Sequence, residues 1–258
     1  MVVVGSGRPL VMLPGIQGRW EWMEPAVMAV ARYRQVVTGS LAGEPGSNGF
    51  EAGQGFDNYV AQLDAWLEEC GISKAAVCGV SFGGLVALHY AASRPERVSA
   101  LVLVSTPGAS WSPDRLVRGY LKAPRMLAPL FVARAPLRML PEIVRALPSA
   151  RDAVRFSAAH LRRVARAPMS PARMSERGRL MCSLDFASIA RRVSAPTLVL
   201  TGEPDLDKVV PVESTRSYLN LIALAEAAVL PGTGHIGLVS RPDDFAAIVV
   251  GFLERNSA

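Results

Sequence analysis

"AAVCGVSFGGLVALHY", residues 75–90, sets a run of small apolar residues directly against a helical pattern, with a serine at the hinge and glycines on both sides. Residues 75–79 read as a strand buried on both faces, and residues 82–93 as a helix. Gly79, Ser81 and Gly83 form a Gly-x-Ser-x-Gly. A strand that turns this sharply into a helix lifts the serine hydroxyl off the sheet edge. Glycines two before and two after the serine let the neighbouring backbones close in. The helix then aims its unpaired N-terminal N–H groups at charge developing beside the serine. Ser81 is the expected nucleophile.

Outward from this stretch, short apolar runs alternate with amphipathic helices. Strands are expected at 10–13, 35–38, 98–104, 197–201 and 227–230, and helices at 20–31, 56–69, 212–221 and 242–254. That alternation specifies an α/β fold, a mostly parallel sheet flanked by helices. The connection 39–55 carries six glycines and leaves the C-terminal end of a strand, so it reads as a long, mobile loop. Between 112 and 193 the alternation stops. Leucine, methionine and arginine dominate, and eight prolines (113, 124, 129, 136, 141, 148, 168 and 171) are expected to cut the segment into short helices. One core, residues 1–111 and 194–258, is thus interrupted by a helical, arginine-rich insertion at 112–193.

Charge marks the same boundary. Of 28 basic residues, 16 arginines and one lysine fall within 113–192, against five acids, a net +12 in a chain whose total is +6. The remainder is mildly acidic. Such a segment is expected to draw an anionic or carrier-bound substrate to the site. No nucleic-acid motif accompanies it, and a membrane surface ranks below substrate attraction. Mean hydropathy is +0.24 and no apolar run reaches the roughly 18–20 residues of a membrane span. The start, "MVVVGSGRPLVMLPG", lacks the basic region of a signal peptide. Three cysteines without metal-ligand spacing imply neither a disulfide framework nor a metal site, and a cytoplasmic protein is expected.

A serine nucleophile needs a base and an acid that orients it. "LPGTGHIGLVSRPDDF" places His235 in a glycine-rich loop between a strand and a helix. His89 lies inside the helix after Ser81, where a packing role is expected, and His160 lies in the basic insertion. His235 is the base. For the acid, "LVLTGEPDLDKVVPVEST" offers Asp205 and Asp207, with Glu203 less well placed. Asp207 is favoured, because Pro211 is expected to start the next helix and to hold the stretch before it at a fixed offset. The order Ser, Asp, His differs from those of chymotrypsin and subtilisin. The second oxyanion donor is expected on the loop after residues 10–13, where Pro14-Gly15 turns: the N–H of Ile16, paired with that of Phe82. Gln17 and Trp20 are placed to line the acyl site, although Trp20 serves equally well as packing for the first helix.

Taken together, these motifs resemble the α/β-hydrolase superfamily, in particular its cap-bearing members, over nearly the whole chain. "LPGIQG" stands where that family has a His-Gly turn, "GVSFGG" is similar to its nucleophile elbow, "TGEPDLDKVVP" to its acid loop, and "GTGHIGLVSRPDDFAAIVVGFL" to its histidine loop and last helix. The resemblance implies Ser81 as nucleophile, His235 as base, Phe82 and Ile16 as oxyanion donors, a helical cap at 112–193, and no cofactor. Three features depart from the pattern. Pro14 replaces the usual histidine, the acid loop is two residues longer, and the family's first hairpin is missing or reduced to residues 2–4. The expected activity is hydrolysis of a carboxylic ester or related acyl compound. C–C bond hydrolysis and acyl transfer use the same residues, and a non-catalytic ligand-binding role uses the same fold.

Overall fold

The computed structural model describes residues 1–256 apart from 48 and 110; residues 257 and 258, the end of the second core segment, lie outside the described residues. Among the described residues seven strands form one sheet: β1 (Val2–Val4), β2 (Pro9–Leu13), β3 (Gln35–Thr38), β4 (Ala75–Val80), β5 (Val98–Val104), β6 (Thr197–Thr201) and β7 (Ala225–Val229). Their spatial order is β1-β3-β2-β4-β5-β6-β7. All neighbours are parallel except β1, which runs antiparallel to β3. The residual first hairpin is therefore a single edge strand. Because the chain steps one way from β2 to β3 and the other way to β4, a crevice opens between the C-terminal ends of β2 and β4.

Alternation along the central strands feeds two cores. Leu101 and Leu103 of β5 pack with α2 (Phe56–Glu69) and α3 (Phe82–Ser93), while Ala100, Val102 and Val104 face α1 (Glu24–Val30) and the final helix, Pro242–Arg255. All six residues of β4 are buried. At about 1.5–3 kcal/mol for each large apolar side chain buried, these two layers are the dominant stabilising term.

Between β5 and β6 the chain forms α4 (Arg115–Lys122), α5 (Pro124–Ala146), α6 (Ala150–Arg166), α7 (Pro171–Leu180) and α8 (Phe186–Arg191). The last of these turns Phe186, Ile189 and Ala190 into the core that holds α2 and α3. The expected break at each proline does not occur in α5. Pro129, Pro136 and Pro141 all lie inside one helix of 23 residues. All three rings are exposed, and the carbonyls they deprive of an intrahelical donor belong to the exposed residues Arg125, Val132 and Leu137, so a lost bond there costs less than in a buried helix.

Smaller differences have local causes. Residues 20–31 divide into a 3-10 turn, Trp20–Met23, and α1, because Pro25 suits only the first turn of an α-helix. The helix expected at 212–221 divides into α9 (Val212–Arg216) and a 3-10 turn, Ser217–Asn220. The loop after β3 is packed rather than mobile over its first half. Ala42 N–H donates to Gln62 Oε1 and Gln62 Nε2 donates to Ser40 O, both at 3.0 Å, and Leu41 is fully buried. Among the described residues no helix is long and apolar enough to cross a membrane.

Candidate active site

Ser81 alone makes the turn between β4 and α3. Its backbone sits at φ 52° and ψ −119°, a conformation that residues with a Cβ rarely adopt. Hydrogen bonds hold it there: Ser81 N–H donates to Val104 O at 2.8 Å, and Gly84 N–H donates to Ser81 O at 2.9 Å. A Cβ on Gly79 would overlap the carbonyl of Gly83, and one on Gly83 would overlap the carbonyls of Leu13 and Pro14. The second contact matters for chemistry. It brings the first turn of α3 against the loop leaving β2, at the crevice where the strand order reverses.

Ile16 stands on that loop, and Phe82 is the first residue of α3, so its N–H has no intrahelical acceptor. Gln17 folds its amide back toward Gly15. Trp20 packs against the core beneath α1, and Trp22 donates its indole N–H to Ala167 O at 2.8 Å, tying the 3-10 turn to the inserted helices.

His235 follows β7, on a loop that meets the loop after β6 backbone to backbone. Glu203 N–H donates to Thr233 O at 2.8 Å, and Gly232 N–H donates to Glu203 Oε1 at 2.7 Å. A Cβ on Gly234 would overlap the carbonyl of Leu206, so this glycine is what lets the loops close. Glu203 thus acts as a clamp between them. Of the two aspartates, Asp207 is the one that meets the histidine: its Oδ2 lies 3.3 Å from His235 Nδ1, and Asp205 is exposed. Asp207 Oδ1 accepts the N–H groups of Val209 at 3.0 Å and Val210 at 2.9 Å, which fixes the carboxylate just before Pro211, the cap of α9.

Electrostatics follow this geometry. Burial alone would push the Asp207 carboxyl up, but His235 and the two N–H donors hold it below the ordinary carboxylate value. Burial alone would depress His235, but the charges of Asp207 and Glu142 hold it above the ordinary imidazole value. Asp207 on Nδ1 places the neutral ring's proton there and leaves the Nε2 lone pair free to accept another. Val104, Ser105, Gly202 and Gly234 line a small cavity with His235, and Val104 is also the residue whose carbonyl anchors Ser81. The other two histidines lie elsewhere: His89 packs beside Phe56, and His160 stacks on Phe156 with Trp22 against its edge.

Two residues in the inserted segment were missed by the sequence pattern. Arg177 of α7, 1% exposed, donates from Nη1 to Ile16 O at 3.0 Å and to Glu44 Oε1 at 2.9 Å, and from Nη2 to Ala42 O at 3.0 Å. It fixes the peptide that follows Ile16. Glu44 keeps this buried cation paired. Glu142 of α5, also 1% exposed, accepts the N–H of Ile236 with both oxygens at 3.1 Å. A helix from the insertion therefore holds the residue next to His235. The only available signal was weak: Glu142 is the one acid among four arginines in α5.

Burial pushes the Glu142 carboxyl up to about 7, although Ile236, Gly234 and His235 oppose the rise. It therefore changes charge near neutral pH, beside the His235 ring whose proton affinity its charge raises. Glu142→Gln keeps an acceptor for Ile236 but removes a charge that raises His235. The acid limb of the kcat/KM–pH profile should move to lower pH, by up to about one unit. An unmoved limb would show that Glu142 is only a structural tie. Glu142→Ala should in addition cost about 1–3 kcal/mol of stability, because the Ile236 N–H loses its partner.

A strained serine between strand and helix, with a carboxylate–histidine pair on the loops after β6 and β7, defines an α/β hydrolase architecture. The model of the alpha/beta hydrolase family matches residues 10–248, and the chain belongs to that family. It is similar to the 2-hydroxymuconate semialdehyde hydrolase of Pseudomonas sp. (strain CF600), at 30% identity over 98% of this chain and 89% of that one. It is also similar to the poly(3-hydroxyalkanoate) depolymerase of Ectopseudomonas oleovorans, at 25% identity over 96% and 84% of the two chains. Among solved structures, the enol-lactonase from Burkholderia xenovorans LB400 shares the fold, with a TM-score of 0.78 at 22% identity, covering 98% of this chain and 95% of that one.

Proposed function

We propose that this protein is a serine hydrolase that cleaves a carboxylic ester or related acyl compound through an acyl-enzyme. The observation that carries the reading is the Asp207–His235 pair, 3.3 Å apart and sharing the C-terminal edge of the sheet with the strained Ser81. Ser81 Oγ attacks the acyl carbon while His235 Nε2 takes its proton. The N–H groups of Phe82 and Ile16 receive the developing oxyanion. Collapse expels the alcohol, which takes the proton from His235. Water, deprotonated by the same nitrogen, then attacks the acyl-enzyme, and the acid leaves with Ser81 restored. Gln17 and Trp20 stand on the acyl side of the site, and no metal or organic cofactor enters the reaction. In this reading 112–193 is the cap over a core made of 1–111 and 194–258, and an anionic or carrier-bound acyl compound is the substrate its charge favours.

Hydrolysis of a C–C bond is a second reading, favoured by the 30% identity to a hydrolase of 2-hydroxymuconate semialdehyde. The same serine, base and oxyanion donors would serve it. A panel of nitrophenyl esters of graded acyl length, run beside 2-hydroxymuconate semialdehyde and a fluorophosphonate label, separates the readings. Labelling with kcat/KM highest for an ester is the expected result. Turnover of the semialdehyde about a hundredfold more efficient than the best ester would replace the first reading with the second. A chain that neither labels nor turns over any of them would be a ligand-binding member of the fold.

A further inference from the structure

The outward side of α5 is apolar where a surface helix is ordinarily polar. Met126, Leu130, Ala133, Leu137, Leu140 and Val144 recur at spacings of three and four, so they share one stripe about 27 Å long. All six are exposed, and Met126 and Leu137 are 75% and 74% open. Among the described residues of α5, Glu142 alone is fully buried, so this helix spends most of its apolar surface outward. Arginines flank the stripe, Arg125 on one side and Arg134 and Arg145 on the other, all exposed. Among the described residues no carboxylate pairs with these three, nor with the exposed Arg151, Arg155 and Arg162 of the adjacent α6. Arg163, Arg173 and Arg177, by contrast, turn toward the core and pair with Glu24 and Glu44.

We propose that this face of α5 is a docking surface for an anionic phospholipid bilayer. The apolar stripe rests at the boundary between headgroups and acyl chains, and the flanking arginines reach the lipid phosphates with their stems along the stripe. Charge decides against a second copy of the chain as the occupant, since that would press one net +12 segment against another. The prolines set the depth. The carbonyls of Arg125, Val132 and Leu137 lack intrahelical donors, so the helix needs the hydrated headgroup layer and does not enter the hydrocarbon. This proposal does not rest on the catalytic reading.

The test is co-sedimentation of the full chain with vesicles of phosphatidylcholine alone and of equal parts phosphatidylcholine and phosphatidylglycerol. Light scattering of the protein without lipid runs alongside. The expected result is binding to the anionic vesicles about tenfold or more above the neutral ones, unchanged in Ser81→Ala. Leu137→Gln with Leu140→Gln, both at exposed positions, should weaken it about tenfold, and so should Arg134→Gln with Arg145→Gln. Three results would overturn it: no preference for anionic vesicles, binding that the leucine pair leaves unchanged, or a dimer in solution that the leucine pair dissolves.

Discussion

Ser81→Ala is expected to abolish labelling by a fluorophosphonate and to lower ester turnover by about 10⁴-fold or more. The size follows from what remains. Without Oγ no acyl-enzyme forms, and only the oxyanion donors and the bound geometry still favour attack by water. The fold should survive, because alanine adds no atoms at φ 52° and the backbone bonds to Val104 and Gly84 do not involve the hydroxyl. An unchanged thermal midpoint beside lost turnover is thus the full expectation. Undiminished turnover in a correctly folded variant would refute the mechanism proposed above.

The elements that could be read from the sequence were those whose pattern is fixed by burial. Residues 35–38, 98–104 and 197–201 match β3, β5 and β6 end for end, because strands buried on both faces are continuous β-branched and leucine runs. β7 shifted to 225–229 because it is an edge strand with Glu226 and Val229 exposed, and its composition carries little signal. The prolines of α5 misled for a related reason. Proline is costly where its missing N–H would be buried, and here the orphaned carbonyls belong to exposed residues. Sequence position does not reveal which side a proline will occupy.

At the site, the legible residues were those needing a particular local backbone. Gly79 and Gly83 are required by close approach, and Gly234 by the contact between two loops. Each leaves a mark in the sequence, and Ser81 and His235 could be located beside them. Arg177 and Glu142 have no such mark. Each acts across a long separation, Arg177 on Ile16 and Glu142 on Ile236, from arginine-rich helices in which no local backbone feature singles either one out. Only tertiary packing brings them to the two loops that hold Ile16 and His235. Glu203 shows the converse. It looked like a third candidate acid, and its carboxylate is occupied by the N–H of Gly232.

Asp207→Asn is expected to cost about 10³–10⁴-fold in kcat, and Asp205→Asn less than about threefold. The hydrogen bonds around Asp207 explain why so conservative a change should be so severe. Oδ1 accepts two backbone N–H groups, from Val209 and Val210, so in the asparagine variant the amide oxygen must take that position. The amide nitrogen is then left facing His235 Nδ1, where it can only donate. His235 is driven to the tautomer that carries its proton on Nε2, and the lone pair that should take the proton from Ser81 is lost. The pH profile gives an independent reading. The Asp207 charge holds His235 above its ordinary value, so whatever activity survives should show its acid limb at lower pH than the parent. Asp205 is exposed on the loop, and an uncharged side chain there disturbs none of these bonds. The reverse ranking would make Asp205 the acid and require the loop to rearrange during catalysis, while small effects from both would leave His235 without an orienting carboxylate and end the triad reading.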